Sequence, residues 1–157
     1  MKTNIIIAIL LFSILGCTLK QEQLSKQEEE QIKKEIIATI DSLWTGFNNF
    51  DVEGALKFYS PIFVAYGDDG KSSLEQLRKY YLDIYPTTTL FKWTSHNIDF
   101  LSITKEKVIL IQEGKMEYAR KSGEKGTLDP VHYTFGFEKQ PNGWKLFYEH
   151  YSIITSK

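Results

Sequence analysis

From Val131 to Ile154, large apolar residues alternate with polar or smaller ones at a period of two. Val131, Tyr133, Phe135 and Phe137 interleave with His132, Thr134, Gly136 and Glu138. Past Gln140-Pro141-Asn142-Gly143, the run Trp144, Leu146, Tyr148, His150, Ser152 interleaves with Lys145, Phe147, Glu149 and Tyr151. Neighbouring side chains on a strand point to opposite faces, so this alternation about a Pro/Asn/Gly turn predicts one long β-hairpin. Trp144 and Leu146 mark the core side. An unbroken parity then turns Tyr148, His150 and Ser152 inward as well, beside Tyr133 and Phe135, and leaves Phe147, Tyr151 and Ile153 on the outer face.

Earlier in the chain the period changes to that of a helix. Ile32, Ile36, Ile40, Leu43, Phe47 and Phe50 recur at steps of three and four, flanked by Ile37 and Trp44. This apolar stripe predicts a long core-facing helix, opened by a capping box of Ser25 and Glu28 and stopped at Asn48-Asn49. Asp51 can cap a second, short helix in which Val52, Ala55, Leu56 and Tyr59 share a face, with Pro61 as its stop. Ile62 to Tyr66 reads as a short strand, and Gly67-Asp68-Asp69-Gly70 as a turn. Ser73 with Gln76 opens a third helix carrying Leu74, Leu77, Tyr81 and Ile84, closed by Pro86. Only strands follow: about Leu90 to Ile103, Val108 to Arg120, and the terminal hairpin. Long strands joined by tight turns after a set of helices predict an α+β fold, a mainly antiparallel sheet with the helices on one face.

Composition narrows the function classes. A 157-residue chain that is 42% hydrophobic and 14% aromatic can bury one real core. Its formal charge is -1, or -2 once Lys2 is lost with a leader (20 acidic against 18 basic residues), which offers no footprint for nucleic acid. Cys17 is the single cysteine, so an intrachain disulfide and a thiolate-rich metal site are both excluded. His96, His132 and His150 lie on separate segments without a short ligand spacing, and the acidic pair at 68–69 lacks the spaced oxygens of a calcium loop; no metal and no cofactor is expected.

Lys2 precedes an apolar run from Ile5 to Leu15, too short to span a bilayer and suited to a signal-peptide core. The run ends in Ile14-Leu15-Gly16-Cys17, which resembles a bacterial lipobox. That resemblance implies cleavage before Cys17, a lipidated cysteine and a protein held at a membrane of the bacterial cell envelope, facing away from the cytoplasm. Two or more acyl chains there suffice for stable anchoring. The expected organisation is a signal peptide over 1–16, a tether over 17–27 and a folded domain over 28–157.

The order helix, short helix, strand, helix, four long strands resembles the nuclear transport factor 2-like superfamily, in particular its SnoaL-like and ketosteroid-isomerase-like branch. The residues that carry the resemblance are Phe50-Asp51-Val52-Glu53-Gly54-Ala55-Leu56 and Asn142-Gly143-Trp144-Lys145-Leu146, leading to His150-Tyr151-Ser152. It implies a strongly bent sheet wrapped around three helices into a cone whose open end is an apolar pocket. The isomerases of that branch use a carboxylate base after the first strand and a Tyr with a protonated Asp as oxyanion site. Here Gly67 falls at the base position and Leu43 at the tyrosine, with Asp68 one residue from the base, so that specific activity is not expected.

The expected pocket residues are Tyr148, His150, Tyr133, Phe135, Tyr59, Tyr66 and Trp44. His150 is the catalytic candidate, since imidazole titrates near neutrality; the competing reading is a structural histidine bonded to a tyrosine. Three functions remain open: a membrane-tethered domain binding a small, largely apolar ligand; a lyase or isomerase using His150 with a tyrosine; and a scaffold or homodimer using Phe147, Tyr151 and Ile153 as its outer partner surface.

Overall fold

The computed structural model describes residues 24–67 and 70–153. The apolar leader, Cys17, most of the tether and Asp68 lie outside the described residues. Helix α1 (Lys26–Asn48) starts where the capping box predicts, with Ser25 accepting from the Glu28 amide and Glu28 reaching back to the Ser25 amide. Its stripe is the core: Ile36, Ile40, Leu43, Trp44 and Phe47 are all buried. Each such side chain contributes roughly 1.5–3 kcal/mol on leaving water, which is why the helix lies against the sheet. Asn48 pins its end to the sheet, its Oδ1 accepting from the Trp93 amide at 2.7 Å.

The corner to α2 (Val52–Leu56) is tight. Asp51 caps the short helix by accepting from the Gly54 amide at 2.9 Å. Gly46 of α1 lies so close to Ala55 that a Cβ there would stand 2.7 Å from the Ala55 nitrogen. Strand β1 (Tyr59–Gly67) begins earlier than its apolar run suggested, and Pro61 lies within it rather than ending a helix. The pairing of β1 to its neighbour is irregular between Tyr59 and Val64, the stretch in which proline has no N–H to give to a ladder. Strand β2 (Gly70–Ser73) is a short edge strand not anticipated from sequence. Helix α3 (Leu74–Ile84) opens on the predicted Ser73/Gln76 box and passes into a 3-10 turn containing Pro86.

Strands β3 (Thr88–Ile103), β4 (Lys107–Arg120), β5 (Lys125–Gln140) and β6 (Gly143–Ile153) form the antiparallel meander. The full order is β2-β1-β6-β5-β4-β3, and β1 joins β6 in parallel. Val108 and Leu110, then Val131, Tyr133, Phe135 and Phe137, then Trp144 and Leu146 supply the inner face that meets α1.

Strand β6 departs from the expected parity in the middle. Leu146 pairs with Phe137, but Tyr148 pairs with Gly136, so Phe147 is an extra residue in the ladder. Such a bulge turns everything beyond it to the other face. Phe147 and Tyr148 both lie outside, Phe147 over the bare face of Gly136, and Glu149, Tyr151 and Ile153 lie inside. His150 is exposed, on the outer face beside Tyr66, its partner in β1. The inward placement of Tyr148, His150 and Ser152 is therefore corrected. The outer row of Phe147, Tyr151 and Ile153 is also dissolved, since two of its three members face the cone interior.

Candidate functional site

The bulge creates the site. Beyond it, β6 directs Glu149, Tyr151 and Ile153 into a cavity of about 270 Å³ at the wide end of the sheet. Met116 of β4, with Leu128, Val131 and Tyr133 of β5, forms the adjoining wall. Leu77, Tyr80 and Tyr81 of α3 close the opposite side, with Phe91 of β3 beside them. Gly67 and Gly70 lie at the rim, where a Cβ on Gly67 would stand 2.1 Å from the Tyr151 ring. Thus Tyr151 fills the space that a side chain at 67 would need. The position matching the isomerase base is closed by an aromatic ring rather than merely lacking a carboxylate.

Among the described residues that line this largely apolar wall, Glu149 is the one carboxylate. It is 8% exposed, and the hydrogen bond reaching its carboxyl from the described residues is a long one, donated by the Tyr59 hydroxyl at 3.5 Å. Burial disfavours the charged form and pushes the carboxyl up to about 7, with the Tyr59 hydrogen bond opposing the shift. Tyr59, Tyr81 and Tyr133 are held well above the usual phenol range, first by burial and then by the nearby Glu149 and neighbouring tyrosines. They remain neutral hydroxyls at any physiological pH. A carboxyl that titrates near neutrality, beside neutral phenol hydroxyls in a largely apolar cavity, can take up or release a proton at a bound molecule.

The expected pocket residues divide into three groups. Tyr133 lines the cavity, and Tyr59 lies beneath it, bonded to Glu149. Phe135 and Trp44 belong to the packed core. Phe135 stacks on Tyr133 at 5.2 Å, and Trp44 stacks on Trp93 at 4.6 Å while its Nε1 donates to Gln112 at 2.9 Å. Gln112 in turn donates to Ser95, so the Trp44 polar edge is spent on the core and not offered to a ligand. Tyr66, Tyr148 and His150 stand on the outer face, with the Tyr66 and Tyr148 rings 6.3 Å apart. His132 also faces outward, 3.8 Å from Glu113. His96 stands at the periphery, 4.0 Å from Asp129.

Sequence reasoning missed Glu149 because it carried the period of two straight through β6. The available signal was the consecutive pair Phe147-Tyr148 across from Gly136, two aromatics where strict alternation wants one inward side chain and one outward. A second, shallower depression of about 420 Å³ lies beside the start of α1. Of its two carboxylates, Glu28 is engaged in the helix cap with Ser25 and lies 3.4 Å from Lys105, and Glu35 already accepts from Lys139 at 2.7 Å, from Trp144 Nε1 at 2.9 Å and from Gln31 at 3.1 Å. Those bonds hold it down at about 2, so it is a satisfied structural anion.

No family model matches the sequence, and no curated protein resembles it closely enough to register. Solved structures do share its architecture. A nuclear transport factor 2-like superfamily protein from Salmonella enterica serovar Typhimurium superposes with a TM-score of 0.71 at 15% identity, over 82% of this chain and 95% of that one. A candidate scytalone dehydratase from Novosphingobium aromaticivorans gives 0.75 at 10% identity, over 81% and 87%. A hexachlorocyclohexane dehydrochlorinase, LinA type 3, from Novosphingobium barchaimii gives 0.72 at 12% identity, over 83% and 92%. At these identities the likeness speaks of fold and not of chemistry. The six-stranded bent sheet, the three helices and these superpositions together establish that the chain has the nuclear transport factor 2-like cone fold.

Proposed function

We propose that the domain binds a small, largely apolar molecule in the cavity beneath β6, with Glu149 engaging the ligand's polar end. The observation that carries this reading is a nine-tenths buried carboxyl that faces a largely apolar cavity and that, among the described residues, is met by one long hydrogen bond from Tyr59. An under-satisfied buried polar group costs ~1–3 kcal/mol, and a ligand that completes its hydrogen bonding recovers that cost. The domain purified from its own cells and sprayed intact into a mass spectrometer should carry a small molecule that Glu149→Gln loses while it still unfolds in one cooperative transition. A wild-type domain that is always empty, with cavity resonances that no small molecule shifts, would defeat the reading.

A second reading is a lyase or isomerase, with Glu149 in the place first given to His150. It is favoured by the Glu149 carboxyl lying near 7 and by structural neighbours whose names describe a dehydratase and a dehydrochlorinase. In such a step Glu149 takes a proton from carbon. The electron pair of that C–H bond becomes a C=C bond, and the leaving group or developing oxyanion is met by the Tyr133 hydroxyl. Exchange of deuterium from solvent into a captured molecule, lost in Glu149→Gln, is the expected sign. Absence of exchange in the wild type argues for binding alone.

Tethering through a lipidated Cys17 belongs to the same proposal. Helix α1 begins at the end of the sheet where Lys105 and Lys139 sit, with Glu28 3.4 Å from Lys105. The cavity lies at the opposite end, lined by Met116, Leu128 and Ile153. An anchor at residue 17 therefore favours a mouth turned away from the bilayer, toward ligands in the aqueous phase.

A further inference from the structure

Resting on the binding reading above, we infer that the cavity selects a ligand with an apolar body and a single positive charge, an organic amine or ammonium, over neutral or anionic molecules of the same shape. Among the described residues the wall supplies five aromatic rings, Tyr80, Tyr81, Phe91, Tyr133 and Tyr151, around one carboxylate, Glu149. No lysine, arginine or histidine is among the described residues that line it. Ring faces carry negative quadrupole, and their attraction for a cation grows as water is excluded. An anion would meet Glu149 with no compensating charge. A neutral ligand could take one hydrogen bond from the site but would forgo both the ring faces and the ion pair. A cation uses all three features together, because the carboxyl's long contact with Tyr59 leaves it room for a stronger donor.

Among the described residues, the titratable groups around Glu149 are Tyr59 from β1, Tyr80 and Tyr81 from α3, Tyr133 from β5 and Tyr151 from β6 itself. All are phenols, so none supplies a positive charge that would hold the carboxylate ionised before the ligand arrives. Ionisation is then coupled to binding. A bound ammonium stabilises the carboxylate, and at pH 7 capture of the cation should release roughly half a proton from Glu149 to solvent.

The test compares benzylamine, benzyl alcohol and benzoate on the folded domain by titration calorimetry in two buffers of different ionisation heat. The expected result at pH 8 is benzylamine bound at least about tenfold more tightly than benzyl alcohol, with benzoate rejected. At pH 7 proton release should accompany the amine alone. The amine preference should fall as the pH is lowered to 6, a readout that needs no variant, and Glu149→Gln should abolish the proton release and leave only the smaller preference of the ring faces for a cation. Benzyl alcohol binding as tightly as the amine, or amine binding without proton release, overturns this inference and leaves the cavity's binding role standing. Binding of none of the three, with no cavity resonance moved, overturns both.

Discussion

Gly136 of β5 lies opposite Tyr148 of β6, while the next residue, Phe137, lies opposite Leu146, so the two strands disagree by one residue at Phe147. That disagreement turns Glu149 into the cavity and His150 out of it. It depends on the bare face of Gly136, which leaves room for the Phe147 ring.

Gly136→Val should strain the bulge. Even a Cβ at 136 would stand 2.9 Å from Phe147 Cζ and 3.1 Å from Tyr148 Cβ. The ring tip can yield but the Tyr148 Cβ is fixed by backbone, so a loss of ~1–3 kcal/mol is expected. A lowered urea midpoint with unchanged slope is the check, and a variant as stable as wild type would show that the bulge does not need this glycine.

Gly46→Ala sets helix propensity against packing. Alanine gains ~1 kcal/mol in a helix interior over glycine. The new methyl, however, would stand 2.7 Å from the Ala55 nitrogen and 2.9 Å from its Cβ, where backbone cannot step aside. Packing should win, with the corner between α1 and α2 opening and the melting temperature falling by several degrees. A rise in melting temperature would mean that the corner is not close-packed.

Stability should fall as pH rises from about 4.5 to about 7. The Glu149 carboxyl titrates at about 7 when folded against 4.5 in the open chain, so between those values the native state holds the proton more tightly. This contribution is complete below 4.5, declines as the pH climbs through 7 and then levels off, amounting to roughly 3 kcal/mol. Urea midpoints at pH 5 and pH 8 read it directly. In Glu149→Gln the slope across that window should vanish.

Glu35 should act in the opposite direction at lower pH. Its hydrogen bonds, Lys139 first, then Gln31 and Trp144, hold its carboxyl at about 2, so the stability it confers is present above 4.5 and lost as pH falls toward 2. The Glu35 side chain is 36% exposed and the pair is partly screened, so Glu35→Ala should cost only ~1 kcal/mol, less at high salt. Salt-independent loss in that variant would assign the effect to packing instead.

Cys17→Ser should leave the protein unprocessed or free of the membrane. Fractionation with a metabolic acyl label decides the matter: a serine variant that is labelled and sedimented with membranes as wild type would refute lipidation.

Patterns local in sequence were legible directly. The capping boxes at Ser25 and Ser73, the apolar stripe of α1, the Asp51 cap and the long strands all follow from interactions within a few residues, where side-chain spacing determines the partner. So did the α+β class, because helices followed by long strands with tight turns have few ways to bury one face. The parallel joining of β1 to β6 and the short β2 were decided by tertiary packing, since neither leaves a periodic trace of its own. The site was decided there too. Period-two counting is exact only while the ladder is unbroken, and Phe147 breaks it against a glycine on another strand. The sequence by itself therefore determined the three helices and the long strands, the core stripe and the aromatic character of the last hairpin. Only the folded sheet decided that Glu149, not His150, is the titratable group in the cavity, because one inserted residue reverses the facing of every side chain beyond it.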